Sequence, residues 1–370
     1  MKFTCEKPLL AAALSVASRT VAVKSAIPAL EGIYVRAGVK VLLSGYNLET
    51  GITVSLDADV KEEGEAIFPA RLFCDIVRKL PDDTVEISVD DNYKISIRAG
   101  ISSFSIAGMS ADDYPALPDV TSENGVSLPQ NQLKDMISGT IFAVSENQAR
   151  PIHTGCLFEV TESDITVIAV DGYRLALRRW IPEGGERKTM KFVVPAAALK
   201  EVEKILTDSE DECTFVLGDK HISFRIGEAT LVCRILEGEF LDWRRVLPEN
   251  NPIKLTANVA AITDSIERVG LVISEKLKSP VRCTFGDQTA DFRTVTTIGT
   301  AHDVCQIAGD GKDLEIGFNC RYLLDALRAV PDGECMMELS NGLSPIVINP
   351  CDDTKRFSYM VLPVRLKVGE

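Results

Sequence analysis

The sequence predicts an α+β chain of three repeated domains, built from six helices and antiparallel sheets. The first reason is self-similarity. "FPARLFCDIVRKL" from Phe68, "VPAAALKEVEKIL" from Val194 and "FNCRYLLDALRAV" from Phe318 line up, with starts 126 and 124 residues apart. The second is periodicity: Phe73, Ile76 and Leu80, then Leu199, Val202 and Leu206, then Leu323, Ala326 and Val330 recur at helical spacing, so each segment reads as an amphipathic helix of about three turns. The third is length. At 370 residues the chain exceeds what one core comfortably holds.

Each copy opens the same way. "MKFTCEKPLLAAALSVASRT", "VSLPQNQLKDMISGTIFAVS" and "IKLTANVAAITDSIERVGLVIS" read as a strand followed by a helix. Strands follow in "GIYVRAGVKVLLSGYN", "GCLFEVTESDITVIAVDG" and "VRCTFGDQTADFRTVTTIG". After the second helix come alternating segments with turn residues between them: "VEISV" and "YKISIRAG", "CTFVLGDKHISFRIG", and "CMMELSNGLSPIVIN". A last strand closes each copy, in "SFSIAGM", "TLVCRIL" and "FSYMVLP". The first two copies then share an ending, "DDYPALPD" and "LDWRRVLPE", whose Leu-Pro pairs at Pro118 and Pro248 mark boundaries. The expected domains are 1–122, 123–250 and 251–370.

Apolar residues make up 45% and charged residues 25%, an ordinary balance for a folded protein. No apolar run approaches the roughly 18 to 20 residues that span a bilayer, and Glu6 stands where a signal peptide would stay basic. The expectation is a cytoplasmic protein with no membrane partner.

The net charge of −14 argues against a strongly basic groove for nucleic acid. The six predicted helical segments together carry about +2, which leaves about −16 for strands and turns such as "DADVKEEGE" and "PDDTVEISVDD". If helices line one surface and sheets the other, the helical face is neutral to weakly basic. Weak, undirected attraction of that kind suits sliding along a duplex, whereas a basic groove grips tightly and loses affinity steeply with salt. Six similar units per chain also invite a closed ring if two chains join through equivalent ends.

Catalytic and metal-binding patterns are missing. The ten cysteines form no C-x-x-C and have no nearby His pair, so they read as reduced core thiols. His153, His221 and His302 have no partner at metal-ligand or triad spacing, and His221 sits in a strand beside Ile222. "GDGK" at Gly309 lacks the rest of a phosphate loop and reads as a turn. Asp82-Asp83 and Asp90-Asp91 read as solvated turns. The expectation is a protein that is not an enzyme and uses no cofactor or metal. A hydrolase built on turn carboxylates stays open as a minor alternative.

The C-terminal "RFSYMVLPVRL" raises a separate question. Phe357, Tyr359 and Val361 would face one side of a strand and Met360 and Leu362 the other, until Pro363 breaks it. Val364 and Leu366 follow, apolar on a segment that has left its sheet.

The three-fold repeat, "VDGYRLAL", "DWRRVLP", "ISEKLKSPVR", "GFNCRYLLDAL" and "YMVLPVRL", in this order and spacing, resemble the bacterial sliding clamps, the beta subunits of DNA polymerase III, over the whole chain. The resemblance implies three DNA-clamp domains, helices lining the inside and antiparallel sheets outside, with the ring closed by head-to-tail homodimerisation around double-stranded DNA of any sequence. It implies a processivity factor in DNA replication, associated with the nucleoid. Its partners would be the replicative polymerase alpha subunit, the clamp loader, and repair polymerases and other proteins carrying a clamp-binding motif.

It further implies a peptide groove of Val170, Gly172, Tyr173, Arg174, Leu175, Leu241, Arg245, Val246, Leu277, Asn319, Tyr322, Leu343, Pro345, Met360, Val361, Leu362, Pro363, Val364, Arg365 and Leu366. On this reading the apolar residues beyond Pro363 help form the groove. Leu241 stands where many relatives have Pro, and His153 near a pocket position usually filled by Leu; both bear on peptide preference. The implied dimer residues are Phe104 and Ile106 against Leu271 and Val272 of the partner, and the implied DNA-facing residues are Lys24, Arg78, Lys79, Arg150 and Lys200. A peptide-binding scaffold that never encircles DNA remains the rival reading.

Overall fold

The computed structural model describes residues 1–81, 84–121, 125–182, 187–274 and 279–366. The first copy runs β1 (Lys2–Glu6), α1 (Lys7–Ala17), β2 (Gly32–Ala37), β3 (Val41–Tyr46), β4 (Thr50–Leu56), β5 (Asp59–Glu62), β6 (Gly64–Pro69), α2 (Ala70–Lys79), β7 (Thr84–Val89), β8 (Lys94–Ala99) and β9 (Ser102–Ala107). The second runs β10 (Gly125–Pro129), α3 (Gln130–Ser138), β11 (Gly155–Val160), β12 (Ile165–Val170), β13 (Arg174–Trp180), β14 (Met190–Pro195), α4 (Ala196–Ile205), β15 (Glu212–Leu217), β16 (His221–Ile226) and β17 (Ala229–Arg234). The third runs β18 (Ile253–Asn258), α5 (Val259–Gly270), β19 (Val281–Thr296), β20 (Gly299–Phe318), α6 (Cys320–Arg328), β21 (Glu334–Leu339), β22 (Ile346–Asn349) and β23 (Phe357–Val361).

The helices form where the apolar spacing placed them. Phe73, Ile76, Leu80, Leu199, Val202, Leu206, Leu323, Ala326 and Val330 are all buried. Each Asn before α5 and α6 is a side-chain cap: Asn258 Oδ1 accepts the Ala261 N–H, and Asn319 Oδ1 the Tyr322 N–H. The segment after β10 reads as helical to residue 147, but α3 stops at Ser138. Gly139 follows, and the Thr140 hydroxyl donates to the Met136 carbonyl at 2.7 Å, which occupies an acceptor of the last turn.

The strands lie where the sequence places them, with two features that it did not show. In β11 and β12 every residue is buried, so "ITVIAV" is a strand covered on both faces and shows no polar alternation. In the third copy, β19 and β20 are 16 and 20 residues long and form one hairpin, its register shifted around Asp287.

The chain divides into two compact units, Met1–Asn131 with Lys200–Ile235 and Gln132–Leu199 with Leu236–Glu370. The second copy is therefore shared between them, because ladders cross the copy boundaries. In the first unit β17 pairs antiparallel with β4, giving an eight-stranded sheet ordered β10-β15-β16-β17-β4-β3-β2-β6; a five-stranded sheet is ordered β5-β1-β7-β8-β9. In the second unit β13 pairs with β23, giving a ten-stranded sheet ordered β14-β11-β12-β13-β23-β22-β21-β18-β20-β19. Helices α1 and α2 pack on one another in the first unit, as do α5 and α6 in the second.

Candidate peptide groove and sheet edges

The β13–β23 ladder organises the candidate groove, opposing Leu175 to Met360 and Arg174 to Val361. Leu175, Leu177 and Met360 share one sheet face with Leu157, Ile168, Val170 and Val347 in a single buried cluster. A strap from Leu236 to Leu247, between the second and third copies, crosses that face and adds Phe240 and Trp243 to the cluster, with Val246, Leu247 and Leu362 partly buried against it. Four of the expected groove residues are exposed, Tyr173 by 63%, Leu241 by 40%, Leu343 by 76% and Val364 by 37%; Tyr173, Leu241 and Val364 lie within two positions of Leu175, Phe240 and Leu362 of this floor. A buried base rimmed by accessible apolar side chains is what a short peptide's Leu or Phe anchor requires.

The β12–β13 turn is held by charge. Asp171 accepts N–H bonds from Tyr173 and Arg174 at 2.9 and 3.1 Å, and Gly172 at φ +91° gives the backbone a conformation that L side chains rarely adopt. The Arg174 guanidinium bonds Asp171 at 2.9 Å and Asp325 of α6 at 2.6 Å, and lies 4.4 Å from the Tyr322 ring centroid. Tyr173 stacks on Tyr322 at 6.1 Å, and its carbonyl accepts the Leu362 N–H at 2.8 Å.

Several expected groove residues therefore act differently from one another. Arg174 is buried on the helix-facing side, where it ties the turn to α6. Val361 is fully buried and alternates to the face opposite Met360, while Met360 itself is only 3% exposed and forms floor. Asn319 serves Tyr322 as a helix cap. Arg245 points outward with Asp242 at 3.0 Å, Pro345 leads into β22, and Pro363 and Arg365 lie in the C-terminal segment. Val364 rejoins the sheet, its N–H bonded to the Gly317 carbonyl at 2.8 Å, and Leu366 rests against Gly317. The segment after Pro363 thus changes strand partner and does not leave the sheet altogether. Leu277 lies outside the described residues, as do Asp82 and Asp83.

Asp171, Asp325, Phe240 and Trp243 belong to this architecture but were not singled out from the sequence. Asp171 carries a signal, since Asp-Gly is a turn dipeptide. Asp325 carries none, lying 151 residues from its Arg partner.

His153 packs edge-on against Phe240 at 4.9 Å, which puts it beside the strap. Burial, and secondarily the Arg150 charge, hold its imidazole below the usual 6.5. The folded state thus binds this proton less readily than the unfolded chain. Its contribution to stability is whole above about pH 6.5 and is lost as the pH falls below that. Denaturant titrations at pH 7.5 and 5.5 are expected to show a smaller acid loss for His153→Gln than for wild type; equal losses would remove His153 from the pH response.

At the sheet edges, β9 is outermost in its sheet, with Phe104 39% exposed and Ile106 half-buried. Strand β19 is outermost in the ten-stranded sheet. Near its hairpin turn the Thr296 hydroxyl donates to the Val272 carbonyl at 2.9 Å, while Leu271 is 82% exposed. The outer strands β6 and β14 are each capped by an isolated bridge, to Met109 and Leu236.

Lys24, Arg78, Lys79, Arg150 and Lys200 are all exposed. Arg78 is paired with Asp75; among the described residues the other four have no ion-pair partner. Lys24 and Arg150 lie in turns, the other three on helices.

The remaining candidates for chemistry are occupied structurally. Seven of the ten cysteines are buried, and burial pushes thiols such as Cys5, Cys156 and Cys233 up to about 12. Cys74 and Cys320 are half-buried and Cys351 is exposed, which corrects the reading of all ten as core. His302 does have an acidic partner, Asp291 at 2.5 Å across the β19–β20 hairpin, in an exposed pair. Asp90 accepts the N–H groups of Asn92 and Lys94 within its turn. Among the described residues, no helix is long and apolar enough to cross a membrane.

Comparison with known proteins accounts for this arrangement of repeats. Residues 1–118, 127–242 and 244–365 match in turn the N-terminal, central and C-terminal domains of the DNA polymerase III beta subunit. The beta sliding clamp of Staphylococcus epidermidis is 29% identical over 381 aligned positions, covering 99% of each chain. The sliding clamp structure from Bacillus subtilis superposes with a TM-score of 0.94 at 28% identity, covering 99% of this chain and 100% of that one. The DNA polymerase III subunit beta from Pseudomonas aeruginosa gives 0.93 at 27%, with the same coverage. Fold and repeat together define a three-domain clamp architecture. The chain belongs to the DNA polymerase III beta subunit family.

Proposed function

We propose that this chain is a non-catalytic processivity factor of DNA replication that closes into a head-to-tail homodimeric ring, encircles duplex DNA and docks clamp-motif peptides in the groove of its second unit. The observation that carries the docking reading is the buried cluster under the strap, with exposed Tyr173, Leu241 and Val364 within two positions of its residues. Ring closure is supported by two sheet edges, β9 and β19, each with an exposed apolar residue on or near it. Pairing β9 of one copy with β19 of another would cover both and bring Phe104 and Ile106 to Leu271 and Val272.

Retention on DNA would then be topological. Several helical arginines, including Arg19, Arg78, Arg268 and Arg328, are already paired with carboxylates, which leaves Lys24, Lys79, Arg150 and Lys200 for weak phosphate contact. The proposed partners are the replicative polymerase, the clamp loader and repair polymerases, in the cytoplasm at the nucleoid. Domain limits of 1–122, 123–250 and 251–370 complete the reading.

The test is retention against DNA topology. Protein loaded on closed circular duplex is expected to stay through gel filtration and to be lost after the circle is cut. Equal retention on circle and linear duplex would favour a groove-bearing scaffold that does not encircle DNA.

A further inference from the structure

Glu159 lies on β11, outside every residue assigned to the groove, and its side chain is about nine-tenths buried. A carboxylate in that setting costs stability unless donors surround it. Three do. The Trp243 indole N–H donates to Oε2 at 3.2 Å, Arg244 Nη2 donates to the same oxygen at 2.9 Å, and Lys191 Nζ lies 3.0 Å from Oε1. Two of these donors come from the strap, 84 and 85 residues away in sequence, and the Arg244 guanidinium also covers the Trp243 ring at 4.2 Å.

The strap needs such an anchor. From Phe240 to Leu247 its backbone hydrogen bonds among the described residues are local, closing one short turn: Arg245 N–H to Asp242, and Val246 and Leu247 N–H to Trp243. The strap is thus registered on the sheet at its start, where the Leu236 N–H donates to the Val193 carbonyl at 2.9 Å, and from Phe240 onward it has no ladder to hold it. Its packing is also incomplete, since Trp243, Arg244 and Leu247 border an open hollow of about 430 Å³. Consecutive side chains in this turn diverge. The Arg244 guanidinium reaches Glu159 from the solvent side, its side chain 58% exposed, while Arg245 pairs with Asp242 at 86% exposure and Val246 packs on the cluster that floors the groove. Rotation of the turn would move all of them together, with Leu241 just before it.

We infer that Glu159 is a positioning residue for peptide docking: by holding Trp243 and Arg244 it sets the strap so that Leu241, Arg245 and Val246 stand at the groove edge. The inference rests on the groove reading proposed above. Glu159 touches no docked peptide and acts through the strap. Burial opposes the ionised carboxylate, but the bonds from Arg244, Lys191 and Trp243 outweigh it and hold the group below its usual range, so the anchor is charged at neutral pH.

The substitution Glu159→Gln keeps the side-chain size and an oxygen for the indole while removing the charge that holds Arg244 and Lys191. Three proteins are measured as folded dimers against one Leu/Phe-containing clamp-motif peptide: wild type, Leu362→Ala and Glu159→Gln. Glu159→Gln is expected to weaken binding roughly three- to tenfold, less than the full worth of its charge-assisted bonds because the effect reaches the peptide only through the strap. A Trp180→Phe background leaves Trp243 as the remaining tryptophan, and its emission should shift when the anchor is removed. The decisive readout is coupling. If Glu159 acts through the strap, its effect shrinks when Arg245→Ala is already present; an effect confined to stability would leave the two changes additive in affinity.

If Leu362→Ala binds like wild type, the groove reading fails and the inference falls with it. If Leu362→Ala weakens binding while folded Glu159→Gln does not, the groove stands and the positioning role is wrong. Should Glu159→Gln fold poorly, Arg244→Ala removes the same bond from the solvent side and is subject to the same comparison.

Discussion

Leu362→Ala is expected to lower the affinity for a Leu/Phe-containing clamp-motif peptide by about tenfold to a hundredfold, the range for truncating an apolar hot-spot residue. Leu362 is half-buried, packs on the cluster beneath the strap, and is fixed through its own N–H to the Tyr173 carbonyl. The backbone bond survives truncation, so the loss is confined to the apolar wall. Met360→Ala is a different experiment despite lying two positions away. Met360 is core, and its truncation is expected to cost about 2 to 5 kcal/mol of folding stability besides any effect on binding. Calorimetric or anisotropy titrations, with sedimentation to verify an intact dimer, separate the two. Unchanged affinity in a folded Leu362→Ala dimer would remove the groove.

The second large effect is expected at the sheet edge. Phe104→Asp places a carboxylate on β9 where the proposed seam would bury an aromatic ring, and an unpaired buried charge costs several kcal/mol. A head-to-tail dimer contains two identical seams, so the penalty is incurred twice and the dimer dissociation constant should rise at least about a hundredfold. Sedimentation should then report monomer at micromolar concentration, and retention on closed circular DNA should disappear. Leu271→Asp, at the other proposed half of the seam, should reproduce both results. Dimers that persist in both variants would place the interface elsewhere. Circular dichroism is the control, since β9 and Leu271 are exposed and neither change disturbs a core.

The two experiments address independent parts of the chain. A monomeric Phe104→Asp protein should still bind peptide, because the groove residues all lie in the second unit. Conversely, Leu362→Ala should still form a dimer and stay on circular DNA. Loss of both properties in either variant would indicate misfolding.

The repeated helix segments were legible because a helix face is a local pattern: apolar residues three and four apart must share one side, and all nine assigned to cores are buried. Strand positions were mostly legible for the same reason, and "VDGYRLAL" and "YMVLPVRL" marked the ladder partners that build the groove without revealing that they pair. Helix ends were less so, since Thr140 closes α3 through its side chain.

Local order along the chain, then, determined the three copies, their six helices and the apolar stock of the groove. Tertiary structure alone decided which copy supplies each edge of a sheet, which way Arg174 and Val361 turn, and how Glu159 comes to hold the strap. The reason is separation: a hydrogen bond or ion pair between residues 84 or 151 positions apart leaves no periodic trace in either segment, and it exists only after the sheets have brought the two together.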